Sequence, residues 1–323
     1  MRKMKKQKLT SIQTMLEFNN IKKQPDISEY EEKEIVCFEN YDGKLLIQDD
    51  NFNALKNLLN NGYKGKVDLV YIDPPFGINK RFESKKSGYY FDDKIIGIEY
   101  LQFMYERLIL LRELLSDEGS IYLHCDWHKS HHLRFLLDEV FGEENFVNEV
   151  VWDKGFRGTE SKNCYQNTHD TVFLYSKSGD YVWNQIYEEY SDQKMGRYNK
   201  INEATGERYA LIKRVKTNGE IYYGKTYFNP KGKKIEDVIF EPILASTDAE
   251  REDYPTQKPE ALLERIVKAS SNEGSIVLDC FMGSGTTQAV AQKLGRKWIG
   301  IDKNPNAIEV VKKRFVKKFN IIL

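Results

Sequence analysis

The chain is predicted to fold as a doubly wound, Rossmann-like α/β domain with a mostly parallel sheet and an inserted irregular region. Three observations carry this expectation. Short apolar strands alternate with amphipathic helical stretches in both halves of the 323-residue sequence, which places strands parallel and helices on both faces. Two of the strands run straight into special turns, Ile72-Asp73-Pro74-Pro75-Phe76 and Leu278-Asp279-Cys280-Phe281-Met282-Gly283. Between the halves, from about residue 152 to 253, the rhythm fails.

Taken in order, residues 1–40 read as a charged arm, helical around Ile12 to Phe18. The first half, 41–151, opens with a strand at Leu45-Leu46-Ile47, a helix from Asn53 to Leu59 and a strand from Val67 to Ile72. A polar loop from Gly77 to Asp93 precedes a long helix from Glu99 to Leu115, with Leu101, Met104, Tyr105, Leu108 and Leu111 at helical spacing. A buried strand, Ser120 to Cys125, and a helix, Lys129 to Phe141, complete that half. The insert, 152–253, is rich in Tyr, Gly, Asn and Lys, with short β-like pieces such as Ile221-Tyr222-Tyr223. The second half, 254–323, returns to helix (Lys258 to Ser270), strand (Ser275 to Asp279), glycine turn and helix (Gly283 to Leu294), strand (Lys297 to Asp302) and a basic helix.

Composition narrows the function classes. With 30% charged and 13% aromatic residues the chain suits a folded, water-soluble protein. No apolar run approaches the ~20 residues that span a bilayer. The basic start, Met1-Arg2-Lys3-Met4-Lys5-Lys6, lacks the apolar stretch of a signal peptide. Cys37, Cys125, Cys164 and Cys280 form no CxxC pair, so neither disulfides nor a cysteine zinc site is expected, and the cytoplasm is the natural setting. The net charge of +0 hides a local excess: 11 Lys/Arg against 3 Glu between Lys194 and Lys234.

The Asp73-Pro74-Pro75-Phe76 turn is the first candidate site. Its prolines stop the strand and remove two N–H donors, leaving carbonyl groups to accept hydrogen bonds from something else. A carboxylate, a free carbonyl and an aromatic face suit a planar ring bearing an –NH2 group, such as adenine or cytosine. Taken alone, the tetrapeptide also reads as a tight turn with a stacked Phe.

The second candidate is the strand–glycine turn–helix from Leu278 through Gly283-Ser284-Gly285-Thr286-Thr287. A P-loop would need Lys after the second glycine, where Thr286 stands, and a dinucleotide fingerprint would need Gly at residue 288, which is Gln. What remains is a nucleoside site without a phosphate cradle. Asp302, at the end of the next strand, is placed for ribose hydroxyls. A nucleoside without phosphates points to S-adenosylmethionine.

Together these segments resemble the amino-group DNA methyltransferases of the β class, in which the DPPF block precedes the glycine turn. Four motifs in order carry the resemblance: Gln48-Asp49-Asp50-Asn51-Phe52-Asn53-Ala54-Leu55, the DPPF turn, Tyr254-Pro255-Thr256-Gln257-Lys258-Pro259, and the FxGxGT turn. It implies the methyltransferase fold, with a catalytic half (41–151) and a cofactor-binding half (254–323). Asp73, Pro74, Pro75 and Phe76 would receive the target base. Asp50, Asp73, Lys258, Asp279, Phe281, Gly283, Ser284, Gly285, Thr286, Thr287 and Asp302 would surround S-adenosylmethionine. Cys280, Asp302 and Phe76 depart from residues common in the family, Pro, Glu and Tyr respectively.

Aspartate in the DPP turn leans toward adenine N6, against cytosine N4 in the same family or a catalytically silent DNA-binding subunit. The basic, aromatic insert would be the target-recognition region, with Arg197, Lys213, Arg214 and Lys216 on double-stranded DNA and Lys80 and Arg81 of the polar loop as further contacts. The resemblance allows a cognate restriction endonuclease as functional partner and a homodimer, and implies no membrane. His124, His128, His131 and His132 fall within nine residues, and His128 and His132 share a helical turn. The proposed chemistry needs no metal, so none is assigned to them.

Overall fold

The computed structural model describes residues 37–41, 43–78, 80–83, 90–93, 95–155, 162–252 and 254–321. The arm expected over 1–40 lies outside them except for its last four residues. The first half runs β1 (Cys37–Tyr41), β2 (Lys44–Ile47), α1 (Asn51–Leu58), β3 (Val67–Ile72), β4 (Lys80–Glu83), β5 (Tyr90–Asp93), α2 (Gly97–Leu114), β6 (Leu115–Cys125), α3 (Ser130–Phe141), β7 (Phe146–Asp153) and β8 (His169–Ser176). Small elements follow: β9 (Tyr187–Glu188), α4 (Asp192–Met195), β10 (Lys200–Ile201), β11 (Arg208–Val215), β12 (Ile221–Tyr227) and β13 (Lys233–Lys234). The last part is β14 (Val238–Phe240), α5 (Glu260–Ser270), β15 (Ile276–Asp279), α6 (Thr286–Lys293), β16 (Lys297–Ile301) and α7 (Pro305–Phe319).

Nine strands form one sheet in the order β1-β2-β16-β15-β3-β6-β8-β7-β14. The run from β2 to β6 is parallel throughout, while β8 pairs antiparallel with both β6 and β7. Successive strand residues point to opposite faces, and the core divides accordingly. Val70 and Ile72 of β3 join α1, α2 and α3 on one side. Leu69 and Tyr71 join α5, α6 and α7 on the other. The chain leaves β3 toward β6 but leaves β15 toward β16, so the crevice between β3 and β15 is the point where the winding reverses. Ligands of open α/β sheets bind at the carboxyl ends of strands at such a point.

Helix starts follow from local chemistry. The Asp50 carboxylate accepts the Phe52 N–H at the head of α1 (3.0 Å). Asn304 caps α7, and Pro305 occupies its first turn, where the missing N–H costs nothing.

The chain divides into two compact units, Met1–Asn184 with Asp237–Leu323, and Gln185–Glu236. Of the 152–253 stretch, then, only its middle forms a separate unit. The flanks supply β8 and β14 to the main sheet. Within the smaller unit β10, β11 and β12 make an antiparallel sheet, Lys213 opposite Tyr223 and Arg214 opposite Tyr222.

Candidate active site

Both turns singled out from the sequence leave the sheet side by side. β3 and β15 pair directly, Leu278 opposite Val70, so Asp73 and Phe281 each stand three residues beyond that pair. Between them opens a cavity of ≈ 620 Å³, within the range of small-molecule sites. All four residues of the DPPF turn line it. So do all the expected cofactor residues except Gly285. Gly285 lies under the turn, in the left-handed conformation (φ +70), with Val311 of α7 against it.

One oxygen of Asp73, Oδ2, accepts the Lys258 ammonium. The other, Oδ1, is buried and has no hydrogen-bond partner among the described residues. A buried acceptor left without a donor is costly and rare. The turn itself is fixed from below. Asp93, buried at the end of β5, accepts the Gly77 N–H (3.0 Å) and the Ile78 N–H (3.2 Å).

On the other wall Asp279 accepts from Phe281 N–H (3.0 Å) and the Thr287 hydroxyl (2.6 Å), which sets the turn. Asp302 accepts from the N–H groups of Gly283 (2.9 Å) and Asn304 (2.8 Å), one on each oxygen. Each of those oxygens keeps a second lone pair for a vicinal diol. Asp50 and the β15 turn are tied together by Arg107. Its guanidinium donates to Asp50 Oδ1 (3.1 Å) and Asn51 Oδ1 (2.5 Å) and stacks 3.5 Å from the Phe103 ring centre. Asn51 in turn donates to the Cys280 carbonyl (3.0 Å). The sequence gives no site role to Arg107 or Asp93, and Asn51 enters there only as part of the Gln48–Leu55 motif. The signal for Arg107 is a charged residue in the apolar stripe of α2, three after Met104 and four before Leu111.

Burial, chiefly, pushes the Asp279 carboxyl from 3.8 up to about 7, with Asp73 and Asp302 adding to it against the pull of its two donors. The folded state therefore holds this proton more tightly than the unfolded chain. Its contribution favours folding at low pH and is lost as pH climbs from about 4 to about 7. Asp279→Asn keeps an acceptor for Phe281 N–H and gives the Thr287 hydroxyl a donor, so it retains the contacts but not the titration. Urea midpoints across pH 4 to 7.5 should fall more steeply for the wild type than for the variant; parallel curves would refute the assignment.

The histidines serve separate purposes. His124 is buried, its Nδ1 2.9 Å from the Tyr71 hydroxyl and its Nε2 3.4 Å from Asp170. Burial raises the Asp170 carboxyl, but bonds from His124 and Lys154 outweigh it and hold it well below the usual range. His128 Nδ1 is bonded to Asp126 (2.6 Å). Burial, with help from His131 and Lys129, lowers His132 to about 4. No group of three His, Cys, Asp or Glu side chains among the described residues is placed to hold a metal ion.

Of the residues expected on DNA, Arg197, Lys213, Arg214 and Lys216 belong to the Gln185–Glu236 unit, and Lys213, Arg214 and Lys216 are exposed along β11 and the turn after it. Arg81 is exposed on β4, 3.8 Å from Glu83. The side chain of Lys80, and Lys85 and Lys86, lie outside the described residues. No helix among the described residues is long and apolar enough to cross a membrane.

A carboxylate turn and a glycine turn on adjacent strands, lining one cavity at a winding reversal, are the arrangement of an S-adenosylmethionine-dependent methyltransferase. The profile of the DNA methylase family matches residues 67–313, and the chain belongs to that family. Among its relatives is the type II methyltransferase M.EcaI of Enterobacter cloacae, 33% identical over 83% of this chain and 68% of the relative. Another is the DNA adenine methyltransferase YhdJ of Escherichia coli K12, 29% identical over 76% and 74%. Among solved structures, the cytosine-N4-specific PvuII DNA methyltransferase has the same fold, with a TM-score of 0.57 at 16% identity over 86% of this chain and 88% of that one.

Proposed function

We propose that this protein transfers a methyl group from S-adenosylmethionine to the N6 amine of an adenine extruded from double-stranded DNA. The observation that carries the reading is the Asp73 carboxylate on the wall of the cavity, whose Oδ1 has no donor among the described residues. An amino group supplies the N–H that this oxygen lacks.

The residues fit the donor. Asp302 presents free lone pairs for ribose hydroxyls, Phe281 an apolar face, and the turn at Gly283 a close backbone approach, all on the cavity wall. When bound, S-adenosylmethionine supplies an electrophilic methyl on a sulfonium sulfur. The protein's part is orientation. Lys258 holds one Asp73 oxygen and thereby aims the other. Asp73 Oδ1 and the Pro74 carbonyl accept the two N–H bonds of the amine, drawing its nitrogen out of conjugation so that its lone pair is presented for attack. Phe76 stacks on the ring. Orientation of this kind can be worth roughly 7–11 kcal/mol, and extruding the base costs a few kcal/mol.

Aspartate in the turn and a relative named as an adenine methyltransferase favour adenine over cytosine N4. Arg81, Arg197, Lys213, Arg214 and Lys216 contact the DNA backbone, where each cation displaces condensed counterions. The type II names among the relatives make a cognate restriction endonuclease the functional partner to seek. Among the described residues Cys125, Cys164 and Cys280 are free, which suits a cytoplasmic setting. Unmodified DNA incubated with the protein and S-adenosylmethionine, then sequenced for modified bases, should show N6-methyladenine in one sequence context. N4-methylcytosine would overturn the base assignment, and no modification at all would overturn the reaction.

A further inference from the structure

We propose that Trp127 is a preformed stacking platform for a nucleobase of the DNA substrate beside the extruded one. The inference rests on the reading above, and its starting point is the order of strands. Asp302, the glycine turn and the DPPF turn sit at the carboxyl ends of β16, β15 and β3, which are consecutive in the sheet. The next strand along is β6, about 4.8 Å farther. Ile72 is paired with Leu123, so β6 continues past the level of Asp73 and ends in the segment Asp126-Trp127-His128-Lys129. The ligand bed that runs from ribose to methyl to target base thus continues onto this segment.

Contact confirms the proximity. Lys129 and Tyr100, a cavity residue, crowd Gly77 of the catalytic turn, where an added Cβ would stand 3.0 Å and 3.2 Å from them. Trp127 is 57% exposed, yet its ring is held. One face stacks on His128, 3.8 Å between ring centres at 26°. Asp126 fixes His128 through both its N–H (2.9 Å) and its Nδ1 (2.6 Å). The Asn167 amide is placed to accept the indole N–H. A large aromatic with one face and one edge pinned offers its remaining face with little entropy left to lose. Any base can stack on it, and Lys129 adds a cation at the same rim.

The test uses the full chain in a Trp183→Phe background, because Trp183 is the other exposed indole while Trp152 and Trp298 are buried. Titration with duplex DNA carrying the methylated sequence should quench Trp127 emission. Trp127→Ala should raise KM for DNA about tenfold while S-adenosylmethionine affinity, read by calorimetry, is retained; Trp127→Phe should recover most of the loss. Absence of quenching with an unchanged KM overturns the platform while leaving the methyltransferase reading standing. An unchanged KM with altered oligomeric state would assign the surface to a second protein copy and also overturn it. A wild type that methylates no DNA sinks the underlying reading instead.

Discussion

Asp73→Ala will reduce methyl transfer to DNA by about a hundred- to a thousandfold, the scale on which losing one preorganised polar partner of a reaction acts. The cavity will still bind S-adenosylmethionine, because Asp302, Asp279 and the glycine turn hold their own hydrogen bonds without Asp73. The alanine variant strands the Lys258 ammonium in a partly buried place, so some stability will be lost with activity. Asp73→Asn separates the two effects. Its amide oxygen can take the Lys258 bond, which puts the amide N–H2 in the place of Oδ1. A donor then faces the amine's own donors, and transfer fails although packing is kept. Methyl incorporation into DNA, calorimetry with S-adenosylmethionine and a thermal midpoint together decide the matter. Either variant methylating at the wild-type rate would remove Asp73 from the chemistry.

That prediction was accessible from sequence because both turns announce themselves locally. β3 and β15 are apolar runs cut off by Pro74-Pro75 or by Gly283, and the residue left at each edge is acidic. Strand alternation gave the two-sided core for the same reason: periodicity is a near-neighbour property. What stayed hidden depends on long-range contact. Asp93 reaches back to the N–H groups of Gly77 and Ile78 from the end of a different strand. Arg107 joins Asn51 and, through it, Cys280 across most of the chain. β8 lies inside the stretch that the sequence marks as irregular. It enters the sheet antiparallel, and the strand–helix rhythm that marks parallel strands gives no cue there.

Gly285→Ala will destabilise the fold by roughly 2–5 kcal/mol, combining left-handed backbone strain of ~1–2 kcal/mol with overpacking of ~1–3 kcal/mol. Gly285 has φ +70, and a Cβ there would stand 2.5 Å from Val311 Cγ2, closer than side chains tolerate. The turn cannot relax by rotating away. Its carbonyl accepts the Ala289 N–H as α6 begins, and its N–H donates to Met282 (2.9 Å each). Gly283 shares the left-handed strain (φ +52), but its Cβ would meet the Tyr254 ring at 3.3 Å rather than a valine methyl at 2.5 Å. It also lines the cavity, so alanine there should carry the backbone cost without the clash and act on cofactor binding as well. A double-mutant cycle with Val311→Ala isolates the clash. Removing the valine methyls lifts the overpacking but not the φ strain, so Gly285→Ala should cost less in that background by the overpacking share. Urea unfolding at constant slope reads the difference, and equal costs in the two backgrounds would show that backbone conformation alone, without the packing of α7, demands glycine at 285.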